Sequence, residues 1–313
     1  MALTGTATAG VVTGLPQAIL NVYSREIQHR ALPAMRFEQF AVIKDELTRQ
    51  PGLTIYFTIY ENLALGGPLT EGVNMTTQAM TASQVFVTVT EYGNAIAISE
   101  LLLQSAYDDV LTEAAYQLGR DYARVTDLLL RNAVMASANS IGSGGAWPLS
   151  SISQPLRIDD LRAGVERLYT LNVPKFNGDF FACFVHPHQA SSLKRDPEWV
   201  SASTYGATEQ LFRGELGRFD DVRFVGTGHM NNGAVLSTDP AYDATLVGAG
   251  AGGVNLYKAV LMGDNSYAWA VGLPVEMRDN GVEDFGRKHS LGWYSIMGSK
   301  IINGDNILPI VSA

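Results

Sequence analysis

A single cysteine, Cys183, stands in a chain of 313 residues. That excludes an internal disulfide and any multi-cysteine zinc or iron–sulfur site. Charge is scarce as well. Charged side chains make up 17% of the residues, against about 25% in ordinary soluble proteins, so the chain is expected to hide surface in subunit contacts. The net charge of −9 removes the bulk basic field that holds nucleic acid. No apolar run reaches the length of about 18 residues that a membrane-spanning helix needs. Residues 1–24 hold no Lys or Arg, so no targeting segment with a basic start is visible. Residues 50–119 also lack any Lys or Arg, yet carry Glu61, Glu71, Glu91, Glu100, Asp108, Asp109 and Glu113. Chance in a low-charge protein would give such a stretch. So would a segment lying against a basic partner surface.

Chemical motifs are equally sparse. No Gly-x-Ser-x-Gly elbow and no Gly-Lys-Ser/Thr phosphate loop occurs. Residues 248–253, GAGAGG, match the glycine spacing of a dinucleotide fingerprint. The fingerprint belongs at a strand-to-helix turn, and the apolar stretch after it stops at Gly263-Asp264-Asn265, so a link between strands is expected instead. His186-Pro187-His188 has no further histidine at ligand spacing, and Pro187 fits the first turn of a helix. The pairs Asp108/Asp109 and Asp159/Asp160 sit at expected helix starts, where capping accounts for them. Asp220/Asp221 is a third pair. No catalytic constellation, cofactor site or metal site emerges.

What is present is apolar mass and pattern. Hydrophobic residues make up 46% of the chain, enough for a sizeable core and, at about 150 residues per domain, about two domains. Residues 1–50 read as an arm: Thr, Gly and Ala up to Gly14, then a short helix over Pro16 to Ala31. The arm has too little apolar mass to form a core alone. LTIYFTIY (53–60) and VFVTVT (85–90) alternate with period two and predict the strands of a large hairpin. Two strands alone are marginal in water, so the hairpin needs something to rest on. Residues 109–138 predict a long helix. Leu111, Ala115, Leu118, Tyr122, Val125 and Leu129 lie on its apolar side, and Glu113, Gln117, Arg120, Arg124, Asp127 and Arg131 on its polar side, with the three arginines expected to be exposed. A helix over 158–172, a buried strand over 180–187, a helix from 187 and a short strand within 216–227 follow. Paired strands are expected within 254–274, then a strand, a bend, a strand and a last strand to the end. Without a regular βαβ rhythm, the class is α+β.

In that order, LTEGVNMTTQAMTASQV (69–85), YGNAIAISELL (92–102), the helix from Leu111 to Leu130, VHPHQASSL (185–193) and SLGWYSIMGSKIIN (290–303) resemble the tailed-phage major capsid proteins of the Hong Kong 97 type. The resemblance implies an arm over 1–50, an extended β-hairpin loop over 51–95 and a peripheral domain with a spine helix over 96–157. It further implies an axial domain over 158–271 and returning peripheral strands over 272–313. The implied function is a non-enzymatic subunit that assembles as pentamers and hexamers into an icosahedral head around double-stranded DNA. The implied place is the virion, assembled in the host cytoplasm, with no membrane. Implied partners are copies of itself, a portal, a decoration protein and DNA held without sequence specificity. The long charged helical segment of some relatives is not seen before the arm, so a separate scaffold protein is expected. No lysine stands in the loop to donate to a lysine–asparagine crosslink. Glu61 and Glu71 are then expected to pair with Arg120, Arg124 and Arg131 of a neighbour. An encapsulin-like compartment shell and an α+β nucleotide-binding enzyme are the alternatives.

Overall fold

The computed structural model describes residues 35–45, 52–60, 63–68, 71–72, 74–75, 77–105, 110–197, 218–234 and 241–313. The helix expected over Pro16 to Ala31, Asp108, Asp109 and Glu61 lie outside these residues.

The expected hairpin forms. Strands β2 (Thr54–Tyr60) and β3 (Ala82–Thr88) pair antiparallel, with Ile55 opposite Val87 and Phe57 opposite Val85. Period two places Ile55, Phe57, Val85 and Val87 on one face. At the base, Ile55 and Val87 are buried against Ala268 and Ala270, with Ile296 and Ile302 beside them.

A four-stranded sheet receives that base. Its order is β1 (Val42–Lys44), β10 (Tyr267–Glu283), β11 (Lys288–Ile301), β4 (Thr90–Ser99). Residues 90–95 therefore leave the hairpin and pair with β11, where Ile296 faces Glu91 and Ala95 faces Gly292. The terminal region read as strand, bend, strand is one strand, β11, which runs through Gly292 and Gly298. Close approach explains both glycines. A Cβ at Gly298 would stand 2.4 Å from the Thr88 carbonyl oxygen, and one at Gly292 3.0 Å from Ala95 Cβ.

Beyond the short helix α1 (Glu100–Ser105), the long helix α2 runs over Val110–Met135, about 39 Å at 1.5 Å per residue. It lies on the four-stranded sheet. Leu118, Tyr122, Leu130 and Val134 share a core with Met277, Leu291, Trp293 and Met297. Tyr122 packs edge-on to Trp293 at 5.4 Å, and Trp293 Nε1 donates to Asp121 Oδ2 at 3.0 Å.

A six-stranded sheet forms the second layer. Its order is β5 (Ile141–Gly142), β12 (Ile307–Ser312), β9 (Tyr257–Met262), β6 (Phe181–Val185), β8 (Val222–Gly226), β7 (Arg218–Phe219). The strands expected to pair within 254–274 do not pair with each other. β9 takes β12 and β6 as neighbours, while β10 enters the four-stranded sheet between β1 and β11. The last strand likewise joins the six-stranded sheet rather than returning with β10 and β11. Its ILPIVS sequence is buried throughout, which suits a strand covered on both faces.

Helix α3 (Ile158–Thr170) packs Leu161 and Leu168 onto this sheet. Gly164 makes room there, since a Cβ would meet Leu261 at 3.1 Å. Asp160 caps the helix, accepting from Arg157 N at 3.0 Å and Gly144 N at 2.6 Å. His186-Pro187-His188 is a strand-to-helix corner. It opens helix α4 (Pro187–Lys194) with Pro187 at the first position and His186 Nδ1 accepting from His188 N at 3.2 Å. GAGAGG leads through turns into strand β9, and Gly248, Gly252 and Gly253 have positive φ.

The end of the stretch read as an arm belongs to the body. Phe37 is fully buried and stacks on Phe184 at 4.1 Å, and Phe40 meets Phe176 and Phe184 edge-on. These two rings fill the space between α2 and the six-stranded sheet, so this segment finds its core on its own chain.

Candidate assembly interface

The free face of the hairpin is aromatic, and the side chains that β2 and β3 themselves place on it are uncharged. Tyr56, Tyr60 and Phe86 are 64%, 64% and 50% exposed, and Thr54, Thr58, Gln84 and Thr88 share that face. Tyr56 and Phe86 pair at 6.4 Å, and Lys300 Nζ sits 3.9 Å above the Phe86 ring near the base. Toward the tip, Leu63, Leu65, Met75 and Met80 are exposed, Leu65 almost wholly. Large aromatic side chains without charge mark the centre of protein interfaces rather than solvated surface. Glu71 is exposed in the connecting loop.

The arginines of α2 divide into two kinds. Arg120 and Arg124 are exposed, beside Glu113 and Gln117. Arg120 lies 5.7 Å from the Tyr116 ring centroid, and neither arginine has an ion-pair partner among the described residues. Arg131 differs. It is 4% exposed, and it donates to the His229 carbonyl at 2.7 Å and to Asn132 Oδ1 at 2.6 Å. The expectation of an exposed Arg131 is therefore corrected. The helical spacing is right, but the far half of that face is covered by Arg36, Phe37 and His229. Asp127 is covered with it and is fully buried. Asp127 Oδ1 accepts from Arg36 N at 2.8 Å and Phe37 N at 3.0 Å, and Oδ2 lies 2.7 Å from His229 Nδ1. Nothing in the sequence separated this acid from the solvated ones on its stripe.

Two other polar clusters hold the six-stranded layer. At the β7–β8 turn, Lys175 Nζ and the Tyr169 hydroxyl donate to Asp221, and Arg218 grips Asp179 at 2.8 Å. Those donors hold the Asp221 and Asp179 carboxyls below the usual range. Asp220 stands beside them and meets Arg162 at 3.4 Å. Burial alone would raise the Asp243 carboxyl, but hydrogen bonds from Thr245, Lys258 and Asn231, with the Lys258 charge, bring it down to about 2. Cys183 is fully buried and its thiol is pushed far up by desolvation, so it is inert. A groove of about 540 Å³ lies between α3 and β7–β8, floored by Leu161, Val165, Phe219 and Phe224. Among the described residues, no three His, Cys, Asp or Glu side chains are arranged to hold a metal ion. No helix among them is long and apolar enough to cross a membrane.

The fold has close counterparts. The capsid of Ralstonia phage GP4 superposes with a TM-score of 0.70 at 16% identity, covering 89% of this chain and 90% of that one. The cyanophage Pam1 capsid gives 0.69 at 17% identity, with 91% and 92% covered. A virus-like particle from Pyrococcus furiosus gives 0.54 at 12%, with 94% and 99% covered. No curated protein sequence matches the chain. A family model described as phage capsid protein matches residues 82–303, from the second hairpin strand to the end of β11. That span holds α2, most of both sheets and the exposed arginine face, and the described residues have the Hong Kong 97-like α+β fold of tailed-phage shells. This chain accordingly belongs to the phage capsid protein family, and it is a major capsid protein, the structural subunit of a phage shell.

Proposed function

We propose that the subunits assemble as pentamers and hexamers into an icosahedral head enclosing double-stranded DNA, with the hairpin of each copy resting on the α2 face of the next. The charge-free aromatic face of β2–β3 carries this reading. Only the base of the hairpin is covered by its own subunit, and a two-stranded element with exposed tyrosines is stable when a second surface covers it. In this reading the hairpin is the extended loop, α2 is the spine of the peripheral domain, and β6 to β9 with α3 form the axial domain. Arg120 and Arg124 receive the carboxylates of the neighbouring loop, Glu61 and Glu71. Arg131 acts inside the subunit instead.

A head of this kind needs a portal, a separate scaffold protein and, on some surfaces, a decoration protein. The acidic net charge suits DNA held without base-specific contacts and filled by an external motor. The subunit performs no catalysis in this reading, and assembly takes place in the host cytoplasm before the particle becomes a virion.

Negative-stain electron microscopy of the chain expressed alone and with its phage genes is the test. Closed shells, or rings of five and six, are expected. A monodisperse species of about 34 kDa with a sharp cooperative melt would sink the reading. Shells that load a cargo enzyme in the absence of phage genes would favour a compartment over a head.

A further inference from the structure

A carboxylate has two oxygens, and Asp127 uses them for different parts of the chain. Oδ1 accepts the backbone N–H groups of Arg36 and Phe37, 91 and 90 residues away in sequence. Oδ2 meets His229 Nδ1, 102 residues away on the other side. Both attachments are reinforced. The Phe37 carbonyl accepts from the Tyr267 hydroxyl, and its ring stacks on Phe184. The His229 carbonyl accepts from Arg131, one turn along α2 from Asp127. The charge is fully out of water, so the ionised form depends on these donors. A movement that took away one set would leave a buried charge partly unpaired, and the other set would have to follow.

We propose that Asp127 is a positioning residue that couples two surfaces of the shell subunit. Oδ1 fixes the backbone of residues 36–37 against α2. Oδ2 makes that attachment answer to the loop 227–230, which follows β8 in the six-stranded layer. A subunit that must occupy non-identical places in a closed shell needs its peripheral segments to respond to the packing of its body. This joint supplies the link through one side chain. The idea rests on the shell reading only for that purpose. The coupling itself is a property of the single subunit and is measured there.

Several charged groups face the joint. Asp127 and Arg131 come from α2, Glu38 from the segment after Phe37, and Tyr267 from β10. Burial, then the Asp127 charge, raises the Glu38 carboxyl, and burial with the same charge raises the Tyr267 phenol. His229 is about one third exposed. Asp127→Asn keeps an oxygen for Arg36 and Phe37 but turns an amide N–H₂ toward His229.

Hydrogen exchange of the Arg36 and Phe37 amides in the unassembled subunit tests the coupling. His229→Ala, which alters no atom of the 36–37 segment, is expected to lower their protection about tenfold or more in a folded subunit. In the Asp127→Asn background, where the link to the ring is already broken, His229→Ala is expected to change that protection by less than about threefold. Protection unchanged within about twofold in His229→Ala would overturn the proposal, and so would an equally large effect of His229→Ala in the Asp127→Asn background. Should Asp127→Asn fail to fold, His229→Ala decides alone. These readouts stand even if the chain forms no shell, and a missing shell with intact coupling would count against the assembly reading only.

Discussion

Single side chains set the local tolerances of this subunit. Asp243 is a nearly buried acid whose carboxyl is brought down to about 2 from 3.8. A depressed carboxylate contributes stability above its unfolded pKa and loses it as pH falls through the folded value. The window is therefore about pH 4 down to about pH 2, and the contribution is at most about 2 kcal/mol. Lys258→Met, which removes a donor 3.1 Å from Asp243 Oδ2, is expected to cost about 1 kcal/mol at pH 7. It should also flatten the loss of urea stability between about pH 4 and pH 2. An unaltered slope would assign the acid sensitivity elsewhere. Gly298 offers a steric contrast. Gly298→Ala drives a methyl into the Thr88 carbonyl oxygen and is expected to cost about 1–3 kcal/mol. Gly67→Ala has open space around it and should stay within about 0.5 kcal/mol. Thermal melts of the two variants side by side check this.

At the level of elements, the proposed assembly sets the hairpin of one copy against the first half of α2 of the next. Individual rim ion pairs contribute only about 0–1 kcal/mol, so repetition around the shell and the aromatic face must supply the cohesion. Arg124→Glu is expected to leave the circular dichroism and melting of the subunit unchanged, because Arg124 has no ion-pair partner within it among the described residues. Particle yield should fall about tenfold, since a like charge then faces the acidic loop. Glu71→Lys should weaken particles in the same way, and combining the two should restore part of the yield. A double variant no better than either single one would remove this pairing and leave the tyrosine face alone to explain cohesion. The pattern of these elements was legible early. Period-two alternation gave β2 and β3 with their faces correctly assigned, and the polar stripe gave the exposed Arg120 and Arg124. The same stripe misplaced Asp127 and Arg131, because helical spacing reports which residues share a face and not what covers it.

For the whole molecule, cohesion without covalent links is the expectation. The six lysines are Lys44, Lys175, Lys194, Lys258, Lys288 and Lys300. None lies in the extended loop, so an isopeptide bond has no amine donor there. Particles boiled in detergent should run as one band at the monomer mass on a denaturing gel. Ladders that survive reductant would contradict this. The two layers share one large core, in which Phe37 and Phe40 join α2 to Phe184 of the six-stranded sheet. The subunit is thus expected to unfold as one unit, with no separate transition for either sheet in calorimetry.

The sequence by itself determined the class, the hairpin, the long helix and the strand-to-helix corner at His186. Each follows from local periodicity or capping, which neighbouring residues fix. It also determined the absence of disulfides and of loop lysines. The tertiary structure alone decided strand partners. β9 and β10 are adjacent in the chain, yet each is an apolar run that could pair with any other, and they end in different sheets. It alone decided the fate of Asp127, Arg131 and Phe37 as well. Burial depends on which distant segment arrives to cover a face, and the contacts that brought residues 36–37 and 229 onto α2 span about a hundred positions of chain.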